Sequence, residues 1–240
     1  MPDRQAEEMA IALEGASFSW ENDEDGFRLD IPAWRLERGA RAALIGASGS
    51  GKTTLLNLLA GVTQADRGVV QVFGADLTRL SSAARDRFRG DHIGLVFQMF
   101  NLLPFASVLE NILLPLRFSS ARAQRAGTAP EAEARRLISS LGLDPDKAFG
   151  KPVSALSVGQ QQRVAAARAL IGAPELIIAD EPTSALDPKS RQDFLSLLFA
   201  EAERSGATLL TVTHDEAVAD AFEQRIFLSD LTATTAREAA

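Results

Sequence analysis

The chain has 240 residues, 46% of them hydrophobic, enough to bury one sizeable core or two closely joined lobes. Its 25 basic and 32 acidic residues leave a formal charge of −7, which argues against a broad nucleic-acid-binding face because such binding rests on many neutralised phosphates. With no cysteine and two histidines a zinc site is poorly supported, and the apolar runs stop well short of the roughly 18 residues that a membrane-spanning helix requires. The first residues carry no basic segment followed by an apolar core, so the expected location is cytoplasmic.

In chain order, residues 11 to 20 end in Phe18-Ser19-Trp20 and read as a strand leading into the turn-rich stretch 21 to 26. Phe27, Leu29 and Ile31 then alternate with Arg28 and Asp30, the period of a half-buried strand, so the chain begins with an antiparallel region. The apolar run Arg41 to Ile45 stops at a glycine-rich turn, and Thr54 to Leu59 continues as a helix, giving strand, loop and helix in order. Val69 to Phe73 and His92 to Phe97 suggest two more strands. Between 106 and 172 the pattern is helical, punctuated by Pro104, Pro115, Pro130, Pro145 and Pro152. Leu176 to Ala179 and Thr208 to Val212 are continuous apolar strands of the kind buried in a parallel sheet. The expected fold is α/β: one domain over 1–240, with a core from 11–97 plus 174–231 and an inserted helical lobe at 98–173. The polar N-terminus and Thr232 to Ala240 are expected to fray.

Gly46-Ala-Ser-Gly-Ser-Gly-Lys-Thr53 matches the phosphate-loop pattern. Gly46, Gly49 and Gly51 let backbone N–H groups turn inward around phosphates, and the helix starting near Lys52 aims its positive end at them. Lys52 is placed to reach the β- and γ-phosphates of ATP and Thr53 to ligate magnesium; Ser48, Ser50 and Thr54 complete the expected nucleotide-contacting set. Further on, an apolar strand ends in two adjacent acids. Asp180 is the better magnesium-side carboxylate, and Glu181 the better group to orient the attacking water and accept its proton.

Leu156-Ser-Val-Gly-Gln-Gln-Gln-Arg163 resembles the signature of ATP-binding-cassette (ABC) ATPases, which have a P-loop NTPase core. Trp20, the phosphate loop, Gln98, Asp180-Glu181 with Ser184-Ala-Leu-Asp187, and His214 stand in the order of that family's other elements, and the resemblance runs from about residue 11 to 230. It implies a head-to-tail pair of subunits closing over two ATP molecules, with Ser157, Gly159 and Gln160 of one facing the γ-phosphate held by the other. Trp20 corresponds to the adenine-stacking aromatic, Gln98 to the glutamine that contacts magnesium and the attacking water, His214 to the histidine at the γ-phosphate, and Asp187 to the segment through which each subunit senses the other. Phe18 is expected to point away from Trp20 into the core, and Trp34 to be structural. Val158 stands where the family usually has its first signature glycine, so the backbone there should have φ below zero.

Val96-Phe-Gln-Met-Phe-Asn-Leu-Leu-Pro104, with Ser107 to Pro115 after it and Asp76 to Ser82 before it, is similar to the branch of lipoprotein-release, macrolide-export and cell-division ATPases. That resemblance implies a transmembrane permease or mechanotransmitter subunit as partner, with the chain peripheral on the inner face of the cytoplasmic membrane. Met99, Phe100, Leu102 and Phe105 are the candidate seat for a short partner helix. Two other classes compete. One is a soluble cassette ATPase acting on nucleic acid or ribosomes, which would ordinarily join two cassettes or insert long coiled coils. The other is a catalytically silent interaction module, at odds with the presence of Lys52, Asp180, Glu181 and His214.

Overall fold

The computed structural model describes residues 8–20 and 27–232. The predicted turn at 21–26 and the expected frayed ends at 1–7 and 233–240 lie outside the described residues. In chain order the elements are β1 (Met9–Ser19), β2 (Arg28–Glu37), β3 (Arg41–Ile45), α1 (Lys52–Leu59), β4 (Arg67–Val72), β5 (Ala75–Asp76), α2 (Ser82–His92) and β6 (Ile93–Val96). A helical stretch follows: α3 (Val108–Leu113), α4 (Ser120–Ala126), α5 (Pro130–Ser140), α6 (Pro145–Ala148) and α7 (Val158–Leu170). The chain closes with β7 (Leu176–Asp180), α8 (Pro188–Ser205), β8 (Thr208–Thr213), α9 (Glu216–Ala219), β9 (Gln224–Phe227) and α10 (Leu228–Leu231). Pro130, Pro145 and Pro188 each open a helix, where a missing N–H costs nothing and the fixed φ suits the first turn.

The chain divides into two compact units, Met1–Asp86 with Val212–Ala240, and Arg87–Thr211, so that the divisions fall within α2 and β8. In the first unit β1 pairs antiparallel with both β2 and β4, in the strand order β2-β1-β4-β5. Leu13 faces Trp34 on one side and Val70 on the other, and all three are buried. Trp34 is thus a core aromatic, as its sequence context implied. The predicted alternation in β2 holds, with Leu29 and Ile31 buried between less buried Arg28 and Asp30. In β3 every residue from Ala42 to Ile45 is buried, and the strand runs parallel to β9.

In the second unit β6 and β7 are parallel, with Val96 opposite Ala179. Helix α7 lies close against them, and Val96, Ala169 and Ala179 form one buried cluster. Its alanine run permits that approach, and Gly94 permits it from below, since a Cβ there would sit 2.3 Å from the Ala169 carbonyl oxygen. The far end of α7 is closed by two arginines of α4. Arg122, buried, donates from Nε to the Ile171 carbonyl (2.8 Å) and from Nη2 to that of Ala169 (2.7 Å), and Arg125 Nε donates to Gly172 (2.8 Å). Cations there meet the orphan carbonyls of the last turn. Burial, reinforced by the neighbouring Arg125, lowers the Arg122 pKa to about 10, so it stays charged at neutral pH. Arg136 of α5 forks onto the carboxylate of Glu201 in α8 with two contacts of 2.9 Å.

Two predicted strands shift at their ends. The one expected from His92 begins at Ile93, because His92 closes α2, stacks on Phe88 (4.5 Å between centroids) and pairs through Nδ1 with Glu175. The one expected to reach Phe73 stops at Val72, because Phe73 adopts φ 49° and turns the chain.

Candidate functional site

The phosphate loop leaves the carboxyl end of β3 and enters α1 at Gly51, whose φ of 103° is left-handed. Phe27 packs over that residue so closely that a Cβ would come within 2.8 Å of its ring, so both the backbone angle and the space demand glycine. Phe27 was invisible to motif reading, because its partner lies 24 residues away. No acidic side chain occupies the first turn of α1, and Gly51 supplies no side-chain cap, so nothing anionic of the helix's own competes with a phosphate at its positive end. Lys52, 9% exposed, donates from Nζ to the carbonyl oxygens of Gly46 (2.7 Å) and Ala47 (2.8 Å), tying the start of the loop to the first residue of α1. Ser50 Oγ is buried without a hydrogen-bond partner. An orphaned hydroxyl beside a buried ammonium is a donor set that fits phosphate oxygens. Ala47, Ser48, Gly49 and Thr53 are exposed, and Thr54 is buried.

In the same unit Trp20 follows β1 and is 48% exposed, in keeping with a face available for stacking. The expectation that Phe18 turns away from it fails. Phe18 is buried, yet its ring meets that of Trp20 edge-on at a centroid distance of 4.9 Å, because residues two apart in extended chain share a face. Phe18 thereby props the indole. His214 is exposed in the bend after β8, and Asp215 beside it caps α9 by accepting from Ala217 N at 2.9 Å.

In the second unit the parallel register of β6 and β7 brings Gln98, two residues past Val96, and the Asp180-Glu181 pair to the carboxyl ends of neighbouring strands, the edge where open α/β sheets bind ligands. Asp180 closes β7, and Glu181 follows with φ 46°. For a residue with a side chain this conformation costs on the order of 1–3 kcal/mol and is characteristic of functional turns.

Ser157 caps α7, with a capping box in which Gln160 N donates to Ser157 Oγ (3.4 Å) and Ser157 N donates to Gln160 Oε1 (3.0 Å). Val158 lies in the first helical turn without a positive φ, as its side chain requires, and is 50% exposed. Gly159 leaves room for only a tight Cβ, 3.4 Å from Leu186. Ser157, Gly159 and Gln160 line a cavity of about 290 Å³ with Arg163, Leu186 and Ser190. Asp187 caps α8, accepting from Lys189 N and Ser190 N at 3.1 Å each; the hydrogen bonds from Ser190 and Lys189 hold its carboxyl below the usual range. Among the described residues no cluster of His, Cys, Asp or Glu could hold a metal by side chains of those types alone, and no helix is long and apolar enough to cross a membrane.

The four candidate docking residues after Gln98 part company. Met99 and Phe105 are 83% and 82% exposed, Leu102 is half-buried, and Phe100 turns inward to 9%. Phe100 is therefore removed from the candidate docking seat: its φ of 58° swings the ring beneath the turn that displays Met99. A groove of about 460 Å³ opens between Met99, Leu102 and Pro104 on one side and Val153, Ser154 and Gln161 on the other.

A family model described as ABC transporter matches residues 29–184. The chain belongs to the ABC transporter family. The bacitracin export ATP-binding protein BceA of Halalkalibacterium halodurans is 40% identical to the cassette over 82% of this chain and 75% of its own. The lipoprotein-releasing system ATP-binding protein LolD of Porphyromonas gingivalis is 37% identical over 81% and 86%. The macrolide export ATP-binding/permease protein MacB 1 of Aeromonas hydrophila is 44% identical over 81% of this chain and 29% of its own length. Among solved structures, a dimeric bacterial ABC transporter cassette, MJ0796, superposes with a TM-score of 0.78 at 35% identity, covering 90% of this chain and 93% of that one. The same cassette has also been solved as a dimer in a post-hydrolysis state with ADP and Pi, with a TM-score of 0.77 at 35% identity, covering 90% and 93%. The ABC cassette described here is accordingly an α/β ATPase whose hydrolysis of ATP powers a membrane-protein partner.

Proposed function

We propose that this cassette binds MgATP at the phosphate loop and hydrolyses it within a head-to-tail pair of its own copies, driving a permease or mechanotransmitter subunit of the export and lipoprotein-release type. The observation that carries this reading is the loop itself, where the buried Lys52 ammonium and the orphaned Ser50 hydroxyl converge beneath a helix N-terminus. Lys52 neutralises the β- and γ-phosphates, and the N–H groups around Gly49 and Gly51 cradle them together with Ser48, Ser50 and Thr54. Thr53, Asp180 and Gln98 are the magnesium-side groups, two neutral oxygen donors and one carboxylate, a set that suits a hard cation keeping part of its water shell. Magnesium bound there supplies charge neutralisation and orients the phosphate oxygens. Glu181 takes the proton of the attacking water, and His214 fixes that water and the γ-phosphate. Ser157, Gly159 and Gln160 complete the site of the second copy, and Asp187 reports one site to the other.

The chain sits peripherally on the inner face of the cytoplasmic membrane through its partner, and residues 98–173 form the lobe that meets it. The exposed Met99 and Phe105 are the contact, in the helix-in-groove mode. Changing Met99 or Phe105 to glutamate is expected to reduce copurification with the native membrane partner while leaving the circular dichroism of the isolated chain intact. Full assembly by both variants would strip these residues of the docking role and with it the proposed orientation. The same substitution at Phe100 is expected to disturb folding instead, since its ring is buried.

Trp20 holds the adenine face by stacking and reads its edges little, so ATP and GTP should bind with similar strength. Trp20→Ala is expected to raise the ATP dissociation constant about tenfold, the equivalent of about 1.4 kcal/mol. Equal affinities for parent and variant in an equilibrium titration would return Trp20 to a purely structural role beside Phe18.

A further inference from the structure

Helix α7 carries two buried polar side chains that the phosphate chemistry leaves unused. Gln162 is 0% exposed, and its Nε2 donates to the carbonyl of Pro182, the residue after Glu181. Its Oε1 is buried without a hydrogen-bond partner. Two turns of helix later, Arg168 donates from Nη2 to the carbonyl of Phe100 (2.5 Å) and from Nη1 to that of Asn101 (2.6 Å), in the turn that carries Gln98. Burial lowers the pKa of this guanidinium, a cost borne for those two contacts.

Both receiving turns are ones the backbone resists. Glu181 has φ 46° directly before a proline, where the preceding residue ordinarily extends at negative φ. Phe100 and Asn101 have φ 58° and 48°, two left-handed residues in succession, neither of them glycine. Such conformations persist only where surrounding contacts over-determine them. Here the contacts come from one helix, packed on β6 and β7 through Ala169 and locked at its end by Arg122. The orphaned Oε1 argues the same way. A leucine would fill the space without a buried unsatisfied oxygen, so stability alone does not call for glutamine at 162.

We infer that Gln162 and Arg168 are positioning residues through which α7 sets the turns bearing Glu181 and Gln98. The helix begins with the Ser157 to Gln160 anion site, so one rigid element ties that site to both turns. The inference rests on the proposed roles of Glu181 and Gln98.

The test is Gln162→Leu in the full chain, read by thermal unfolding and by steady-state MgATP hydrolysis. The expected result is an unfolding midpoint equal to or above that of the parent, with kcat about tenfold lower and KM for ATP within about twofold. Parent-like kcat would overturn the inference, as would a joint fall of midpoint and kcat, the mark of a merely structural residue. Introduced into Glu181→Gln, Gln162→Leu should add less than about twofold, because the group it positions is already lost; a full further tenfold loss would overturn it. Parent-like hydrolysis by Glu181→Gln alone would instead unseat the reading of Glu181. Amide exchange at Ser184, whose N–H bonds the Glu181 carbonyl at 3.2 Å, then decides positioning on its own: faster exchange in Gln162→Leu supports it and unchanged exchange ends it. For Arg168→Lys, which keeps the charge but loses the fork, exchange at Phe100 and Asn101 should rise about tenfold. Parent-like exchange there would remove Arg168 from the role.

Discussion

Lys52→Ala is expected to weaken MgATP binding by about 100-fold or more, equivalent to at least about 2.7 kcal/mol, and to reduce phosphate release to background. Two losses combine. The ammonium no longer faces the β- and γ-phosphates, where charge-assisted hydrogen bonds are worth about 1.5–3 kcal/mol each. The carbonyls of Gly46 and Ala47 also lose the donor that gathers the loop, so the cradle relaxes before nucleotide arrives. An equilibrium titration with a fluorescent nucleotide, paired with circular dichroism, separates this from unfolding. Unchanged affinity with normal hydrolysis in a folded variant would reject Lys52 as the phosphate ligand.

The phosphate loop was legible because its chemistry is local. Glycines, lysine and threonine must be neighbours in the chain to be neighbours around a phosphate, and the strand before and helix after announce themselves by their own periods. Asp180 and Glu181 were legible for a related reason: an apolar strand ending in two acids is a visible break in composition. The parallel strands were readable as continuous apolar runs, whereas the start of β6 and the end of the antiparallel β4 each moved by a residue where a single residue, His92 or Phe73, decided the matter.

What the sequence hid depends on backbone angle or on partners far along the chain. Nothing in Met99-Phe100-Asn101 marks φ 58° and 48°, yet those angles send Phe100 inward and leave Met99 outside. Pro182 alone would suggest an extended Glu181; the left-handed conformation depends on contacts such as that of Gln162, 19 residues earlier in the chain. Gln162 and Arg168 could have been suspected from polarity within the alanine-rich run of α7, but the carbonyls they hold carry no sequence signal. Trp20 and Phe18 show the opposite case: the local rule that residues two apart in extended chain share a face suffices to bring the two rings together, and the expectation that Phe18 turns away misapplied it.

Glu181→Gln is expected to slow the hydrolytic step by about 100-fold or more, because the amide can still hydrogen-bond water but cannot accept its proton as a carboxylate does. Near-equal size preserves the turn, and the left-handed backbone at this position bears on both side chains alike. Removing the negative charge also eases closure around the γ-phosphate, where two anionic groups otherwise approach at short range. ATP should therefore persist across the paired subunits, with Ser157, Gly159 and Gln160 of one copy set against the phosphate held by the other. Single-turnover phosphate release measures the first effect, and mass by light scattering with MgATP measures the second. Parent-like release would take Glu181 out of the chemistry. Slow release without a rise in mass would keep Glu181 there and transfer the pairing step to the complex with the membrane partner, whose subunits would then have to bring the two cassettes together before either could close.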